Sequence, residues 1–382
     1  MANYDYEIVN GRKIRVRPKE TVSEIDKNGY FRRQPNHFTT PFGDGENDLK
    51  AEGNKRYRLV WAKLCHWSNR AAIVRELEGL EDQISVNMVE HAPHEKNLGW
   101  EYVYNENNID PVLGDQFPSE AYYRADDDYQ GRTTVPALID TTTGKVVNND
   151  YNWLTTYFEV NFRPWHKKGA PELYPVELRE EIDKMNLWLF DNINNAVYRS
   201  SFSRSNEGHF DGVNTFYAAM DRLEKRLETN RFLFGDYVTD SDIRLYVTLA
   251  RLDIRYTAQL GETKRPLYTY KNLWGYAKEL WEIPAFAHHT DFAAIIRQGR
   301  IEGEEDGFRA STHYDLALPK IDWDAQWKVS TERAYLSSDP THPIYLGNNR
   351  RFDIDPTWYD LGAESPKKEE KETPPSCGCC CG

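Results

Sequence analysis

The chain has 382 residues, 39% hydrophobic and 13% aromatic with 11 Trp, and a formal net charge of −13 from 48 Lys and Arg against 61 Asp and Glu. That length allows two domains plus extensions, and that composition describes a folded protein with aromatic-rich clefts rather than a disordered one. The acidic balance argues against nucleic-acid binding, and no apolar run approaches the ~18 residues of a membrane span. No secretory leader is expected at the start, and Cys65 is the only cysteine before residue 377. One isolated cysteine cannot build a disulfide framework, so a reducing, cytoplasmic setting is expected.

Residues 1–55 are polar and weakly periodic, with Pro35 to Gly45 irregular, and read as an arm draped over the core by Tyr30, Phe31, Phe38 and Phe42. Tyr57 to Leu64 is aromatic and branched, as a buried strand should be. It runs into Cys65-His66-Trp67-Ser68-Asn69-Arg70 and then an amphipathic helix predicted over Ala71 to Leu80. A helix N-terminus offers partial positive charge and unpaired N–H groups, which favour a thiolate, the nucleophilic form of cysteine. The competing reading of Cys65 is a small buried hydrophobe.

Ile84 to Val89 alternates at period two and predicts a second strand. Glu90 to Gly131 is a long insertion rich in Asn, Asp, Pro and Tyr, read as a functional or covering loop. Thr133 to Asp140 reads as a strand interrupted by Pro136. Val135-Pro136 there suggests a cis peptide whose exposed backbone can pair with a peptide-like ligand. A turn at Thr142 to Lys145, a short strand at Val146-Val147 and a helix from Asn149 complete a β-α-β-loop-β-β-α order.

From Pro175 the pattern is purely helical: Leu178 to Ile193, Val213 to Leu227, a capping box at Thr239-Asp240-Ser241-Asp242 opening a third helix, and a fourth from Asn272 to Trp281. The expected organisation is an arm at 1–55, an α/β thioredoxin-like domain at 56–165, an all-α domain at 170–300, a C-terminal wrap at 301–361, and a disordered tail at 362–382. The tail ends in Cys377-Gly378-Cys379-Cys380-Cys381-Gly382, read as solvated thiols, with soft-metal chelation as the alternative.

A single cysteine at the first helix, a Val-Pro strand and a following helical domain is similar to the glutathione transferase fold. The details resemble its Xi class, the glutathionyl-hydroquinone reductases. That family's Cys-Pro-Trp-Ala-x-Arg corresponds to Cys65 to Arg70, and its Gly-Arg-x-Thr-Val-Pro-x-Leu to Gly131 to Leu138. Further matches run through Ile193 to Tyr198, Arg231 to Asp236, Asp242 to Leu245, Arg251 to Tyr256 and Tyr270 to Tyr276. His66 stands where the family has proline, and Asp150-Tyr151 where it has Glu-Ser. The family's His-Tyr-Tyr stretch has no clean counterpart in Ile295 to Tyr314.

The resemblance implies that Cys65 is the nucleophile, and that Tyr198 and Tyr256 line the hydroquinone pocket and hydrogen-bond its oxygens. It implies a glutathione site made by Trp67, Trp100, Val135, Pro136, Asp150 and Tyr151, with Trp100 stacked over the ligand. Glutathione would be the co-substrate, with no metal and no nucleotide, a small quinone-derived aromatic the second substrate, and a homodimer the assembly. His66 either stands as an imidazolium beside Cys65 or points to solvent. Two rival functions share these residues: an omega-like thiol transferase or dehydroascorbate reductase, and a non-catalytic adaptor.

Overall fold

In a computed structural model of the chain, residues 5–17, 23–92, 98–261, 265–297, 322–338 and 343 are described. The arm opens with a hairpin, β1 (Tyr6–Val9) paired antiparallel with β2 (Arg12–Arg15). Asn10 and Gly11 turn it with φ of 50° and 78°, the backbone that an Asn-Gly two-residue turn requires. No element is predicted there, because neither flanking run alternates cleanly. Further along, Phe31 and Phe42 are buried, Phe42 packing edge-on against Tyr57 and Phe162.

Next come β3 (Tyr57–Trp61), α1 (His66–Leu77) and β4 (Ile84–Met88), a βαβ unit with β3 and β4 parallel. A small hairpin, β5 (Glu90–His91) with β6 (Trp100–Glu101), and α2 (Pro118–Ala125) follow. Then β7 (Ala137–Asp140) pairs antiparallel with β3, β8 (Lys145–Asn148) with β7, and α3 (Leu154–Val160) closes the unit. The sheet order is β4-β3-β7-β8.

Three local expectations change. Helix α1 begins at His66 rather than Ala71, and every residue but Glu76 is buried, because α3 and helices of the C-terminal region also cover it. The insertion is not a loop: α2, started by Pro118 and by Glu120 accepting from the Phe117 N–H, buries Ala121 and Tyr122 on the sheet's second face. The 133–140 strand pairs only from Ala137, since Pro136 has no N–H for the ladder and the Val135–Pro136 bond is cis.

The helical region runs through α4 (Arg179–Leu189), α5 (Ala196–Phe202), α6 (Asn206–Arg226) and α7 (Asp240–Arg251). It continues through α8 (Thr257–Gln259), α9 (Lys271–Trp281), α10 (Pro284–His289) and α11 (Phe292–Arg297). The capping box forms as read, with the Thr239 N–H donating to Asp242 Oδ2 at 2.8 Å. Two π-helical turns interrupt the helices, Phe190–Asn194 before α5 and Leu252–Tyr256 after α7. Such turns bulge a helix and re-aim its side chains. Of the stretch expected to wrap back, Trp327 is buried against Tyr246, Trp274 and Phe292. Most of 301–361, and the whole 362–382 tail with Cys377 to Gly382, lie outside the described residues. Among the described residues no helix is long and apolar enough to cross a membrane.

Candidate active site

Cys65 is the N-cap residue of α1, with extended backbone at φ −84° and ψ 118°, and its carbonyl accepts the Asn69 N–H at 2.9 Å. Its side chain caps nothing and instead donates to the Val135 carbonyl, Sγ to O 3.6 Å. Ser68 pins the turn from below, its Oγ accepting the Ala62 N–H at 3.1 Å. The Val135 N–H has no acceptor among the described residues. The segment before β7 therefore presents an open main-chain edge beside the sulfur, suited to pairing with an extended peptide.

The β5–β6 hairpin leans on the same segment. Gly99 has φ +79°, and a Cβ there would meet Thr133 Oγ1 at 2.7 Å. Gly99→Ala is expected to cost about 1–3 kcal/mol for the left-handed backbone, read as a lower urea midpoint than wild type. Trp100, next in line, stacks on His91 with centroids 4.2 Å apart and planes 18° apart. One ring face is thus taken within the hairpin, and the ring packs against the cluster containing Cys65 and Val135.

Trp67, Tyr151, Phe190 and Tyr198 form an aromatic wall, with Trp67 4.7 Å from Tyr151, 5.6 Å from Phe190 and 5.8 Å from Tyr198. The Arg33 guanidinium from the arm lies over Trp67 at 4.7 Å and Tyr198 at 4.4 Å, its Nε donating to Asn195 Oδ1 at 2.9 Å. Arg33 Nη2 and Trp67 Nε1 are both buried without a partner among the described residues. Arg33, Asp150 and Tyr151 line one cavity of about 540 Å³. Asp150 Oδ1 accepts from Asn36 Nδ2 at 2.8 Å and from the Asn152 N–H at 3.0 Å, ordering the turn into α3. Arg33 carries no sequence signal of its own; only the arm's aromatics hinted that this segment docks.

The second side of the site comes from α7 and the π turn after it. Arg251 is fully buried and donates to the carbonyls of Leu64 (3.0 Å), Lys63 (2.9 Å) and Val247 (2.8 Å) and to Asn69 Oδ1 (3.2 Å). It ties the helical region to the turn that carries Cys65. Burial, above all, lowers its pKa from the usual value. Tyr256, at the end of the π turn, places its hydroxyl 3.2 Å from His66 Nδ1, and Thr248 Oγ1 is also 3.2 Å from that nitrogen. Burial raises the phenol pKa of both Tyr198 and Tyr256, so both stay protonated.

His66 fits neither expectation. It is buried rather than pointed at solvent, and its pKa is held well below 6.5, first by burial and then by the Arg251, Arg33, Arg70 and Arg255 guanidiniums. The ring is neutral, not an imidazolium supporting a thiolate. Below pH 6.5 the unfolded chain binds a proton at position 66 that the folded chain refuses, so stability falls with acidification. The stability difference between wild type and His66→Gln is expected to be flat above pH 7. It should shrink by about 1.4 kcal/mol per pH unit below pH 6, measured by urea unfolding across that range. A difference independent of pH would contradict the neutral ring.

Comparison with known proteins fits this arrangement. Residues 197–279 match the family described as glutathione S-transferase, C-terminal domain. Over 280 residues the chain is 34% identical to glutathione S-transferase omega-like 2 of Schizosaccharomyces pombe, covering 70% of this chain and 88% of that one. Glutathionyl-hydroquinone reductase YqjG of Escherichia coli is 32% identical over 240 residues, 63% of this chain and 73% of the relative. The chain belongs to the glutathionyl-hydroquinone reductases, the Xi-class glutathione transferases.

This Xi-class chain superposes on the Xi glutathione transferase of Phanerochaete chrysosporium with a TM-score of 0.64 and 33% identity, covering 71% of this chain and 87% of that one. The glutathione-bound structure of YqjG gives 0.62 and 31%, over 71% of this chain and 88% of the other. A thioredoxin-like sheet followed by an all-helical domain is the glutathione transferase fold, and the relatives are enzymes. Among the described residues no three or more His, Cys, Asp or Glu side chains converge as metal ligands.

Proposed function

We propose that this Xi-class enzyme is a glutathione-dependent reductase that removes glutathione from S-glutathionyl-hydroquinones through a Cys65 mixed disulfide. The observation that carries the reading is Cys65 Sγ at the start of α1, beside the open Val135 main chain and in one cluster with the aromatic wall of Trp67, Tyr151, Phe190 and Tyr198. Residues 56–165 hold glutathione and residues 170–300 supply the aryl pocket. The cysteinyl main chain of glutathione pairs with Val135, ahead of Pro136. The amino-acid end, with one carboxylate and one ammonium, fits the cavity that holds Arg33 and Asp150 together with Tyr151. Trp67 offers its free indole N–H, and Trp100 closes the edge.

The Cys65 thiolate attacks the thioether sulfur, forming an S–S bond as the C–S bond breaks. The electron pair of that bond stays with the aryl group, whose ring carbon gains a proton in the exchange, so the aryl carbon is reduced and the two sulfurs are oxidised. A second glutathione, as thiolate, then attacks the mixed disulfide, releasing oxidised glutathione and restoring Cys65. Tyr198, protonated and against Trp67, lines the side where the hydroquinone stands. The enzyme is taken to work as a cytoplasmic homodimer.

A second reading, an omega-like thiol transferase using the same sulfur, is favoured by the name of the Schizosaccharomyces pombe relative. Steady-state assays separate the two. The reductase is expected to release one hydroquinone and one oxidised glutathione for each two glutathionyl groups consumed. Turnover of mixed disulfides with none of the aryl thioether would make the chain a thiol transferase.

A further inference from the structure

The side chain that replaces the family's proline has an unused hydrogen. Two hydroxyls converge on His66 Nδ1, those of Tyr256 and Thr248, each at 3.2 Å. Thr248 Oγ1 already accepts from Asn194 Nδ2 at 2.8 Å, so its own proton is free to donate. Neither hydroxyl meets another acceptor among the described residues. Their protons point to Nδ1 as the lone-pair nitrogen, and the neutral ring then carries its hydrogen on Nε2; the tautomer is assigned from this network.

Nε2 is buried and has no partner among the described residues. A buried donor left over in an otherwise paired network marks a place for an acceptor from outside the protein. The ring is held in place, with Trp67 edge-on at 4.2 Å, Tyr198 at 5.2 Å and Tyr256 at 5.9 Å. Four guanidiniums, of Arg251, Arg33, Arg70 and Arg255, bear on the same ring, so an acceptor carrying negative charge is welcome there.

We infer that the His66 Nε2–H donates to the phenolic oxygen of the departing aryl group, with Tyr256 and Thr248 orienting the ring rather than binding the substrate. The inference rests on the reductase reading above. The ring carbon bonded to sulfur first takes a proton from water while the adjacent hydroxyl gives up its own, so the aryl group reacts as its keto tautomer. When the C–S bond breaks, its electron pair passes into the ring and onto that oxygen, which leaves as a phenolate and is then protonated by water. His66 keeps its proton throughout and stabilises the developing phenolate. In this chain the hydroxyl of Tyr256 is spent on His66.

The test compares wild type, His66→Ala and His66→Gln on two substrates that share the Cys65 step. One is an S-glutathionyl-hydroquinone; the other is the mixed disulfide of glutathione with a small alkyl thiol, which has no aryl oxygen. His66→Ala is expected to lose roughly 10²-fold in kcat on the thioether, at least about tenfold more than on the disulfide. That excess should narrow with chlorinated hydroquinones, whose oxygen holds charge unaided, and His66→Gln should recover part of it. Tyr256→Phe should slow wild type yet add little to His66→Ala, since it acts through the ring. Equal losses on both substrates, or none on either, would overturn the inference and leave the reductase reading standing. A wild type that turns over only the disulfide would remove both.

Discussion

Cys65→Ala is expected to lose aryl-thioether turnover by on the order of 10⁴-fold or more, the scale seen when a nucleophile is deleted from a covalent mechanism. The fold should be nearly indifferent to the change. The Cys65 side chain makes one hydrogen bond, the long 3.6 Å contact to the Val135 carbonyl, and caps no helix N–H. Its main chain, which does cap α1 through the bond to the Asn69 N–H, is untouched. Urea midpoints of wild type and variant should therefore lie close together while turnover separates. Cys65→Ser sharpens the comparison, because a hydroxyl keeps the contact to Val135 without the nucleophilicity of a thiolate. Substantial turnover in either variant would move the chemistry away from this sulfur.

Arg251→Met should have the largest effect on stability, about 3–5 kcal/mol. Its four hydrogen bonds reach Leu64, Lys63, Val247 and Asn69, all at the junction between the Cys65 turn and α7. Removing the guanidinium leaves carbonyls of the turn buried and unpaired, which costs the full desolvation of each. Arg251→Lys should rescue little, since one ammonium cannot span the fork from Lys63 to Leu64 and Asn69. Urea unfolding reads the cost directly. A loss below about 1 kcal/mol would mean that the junction is held by other contacts, such as the Asn69 Nδ2 bond to the His289 carbonyl and the Lys63–Asp291 ion pair.

The strands and long helices were legible because their information is local. Period-two alternation marks β4, and the box at Thr239 and Asp242 fixes the start of α7 within one residue. The turn at Cys65 and the break at Pro136 were legible for the same reason, since a sulfur before a helix and a proline in a strand each restrict the backbone beside them. Burial on every side hid the true start of α1, because a helix covered by both sheet and helices keeps no polar stripe. Helix α2 is too short for its period to show.

What the sequence withheld about the site depends on partners far along the chain. Arg33 meets Trp67 and Tyr198, Arg251 meets Lys63 and Leu64, and His66 meets Thr248 and Tyr256. Each pairing crosses from one part of the fold to another, and no spacing within a segment encodes it. Position 66 was legible as a departure from the family pattern but not as a buried neutral donor, since burial there is set by helices that follow more than a hundred residues later.

The most direct measurement is the intact mass of the protein after incubation with an S-glutathionyl-hydroquinone, beside a Cys65→Ala control. Wild type is expected to gain one glutathione with release of the hydroquinone, the adduct clearing on addition of glutathione, and the control to gain nothing. An unmodified wild type, or an adduct that persists in the Cys65→Ala protein, would contradict a Cys65 mixed disulfide.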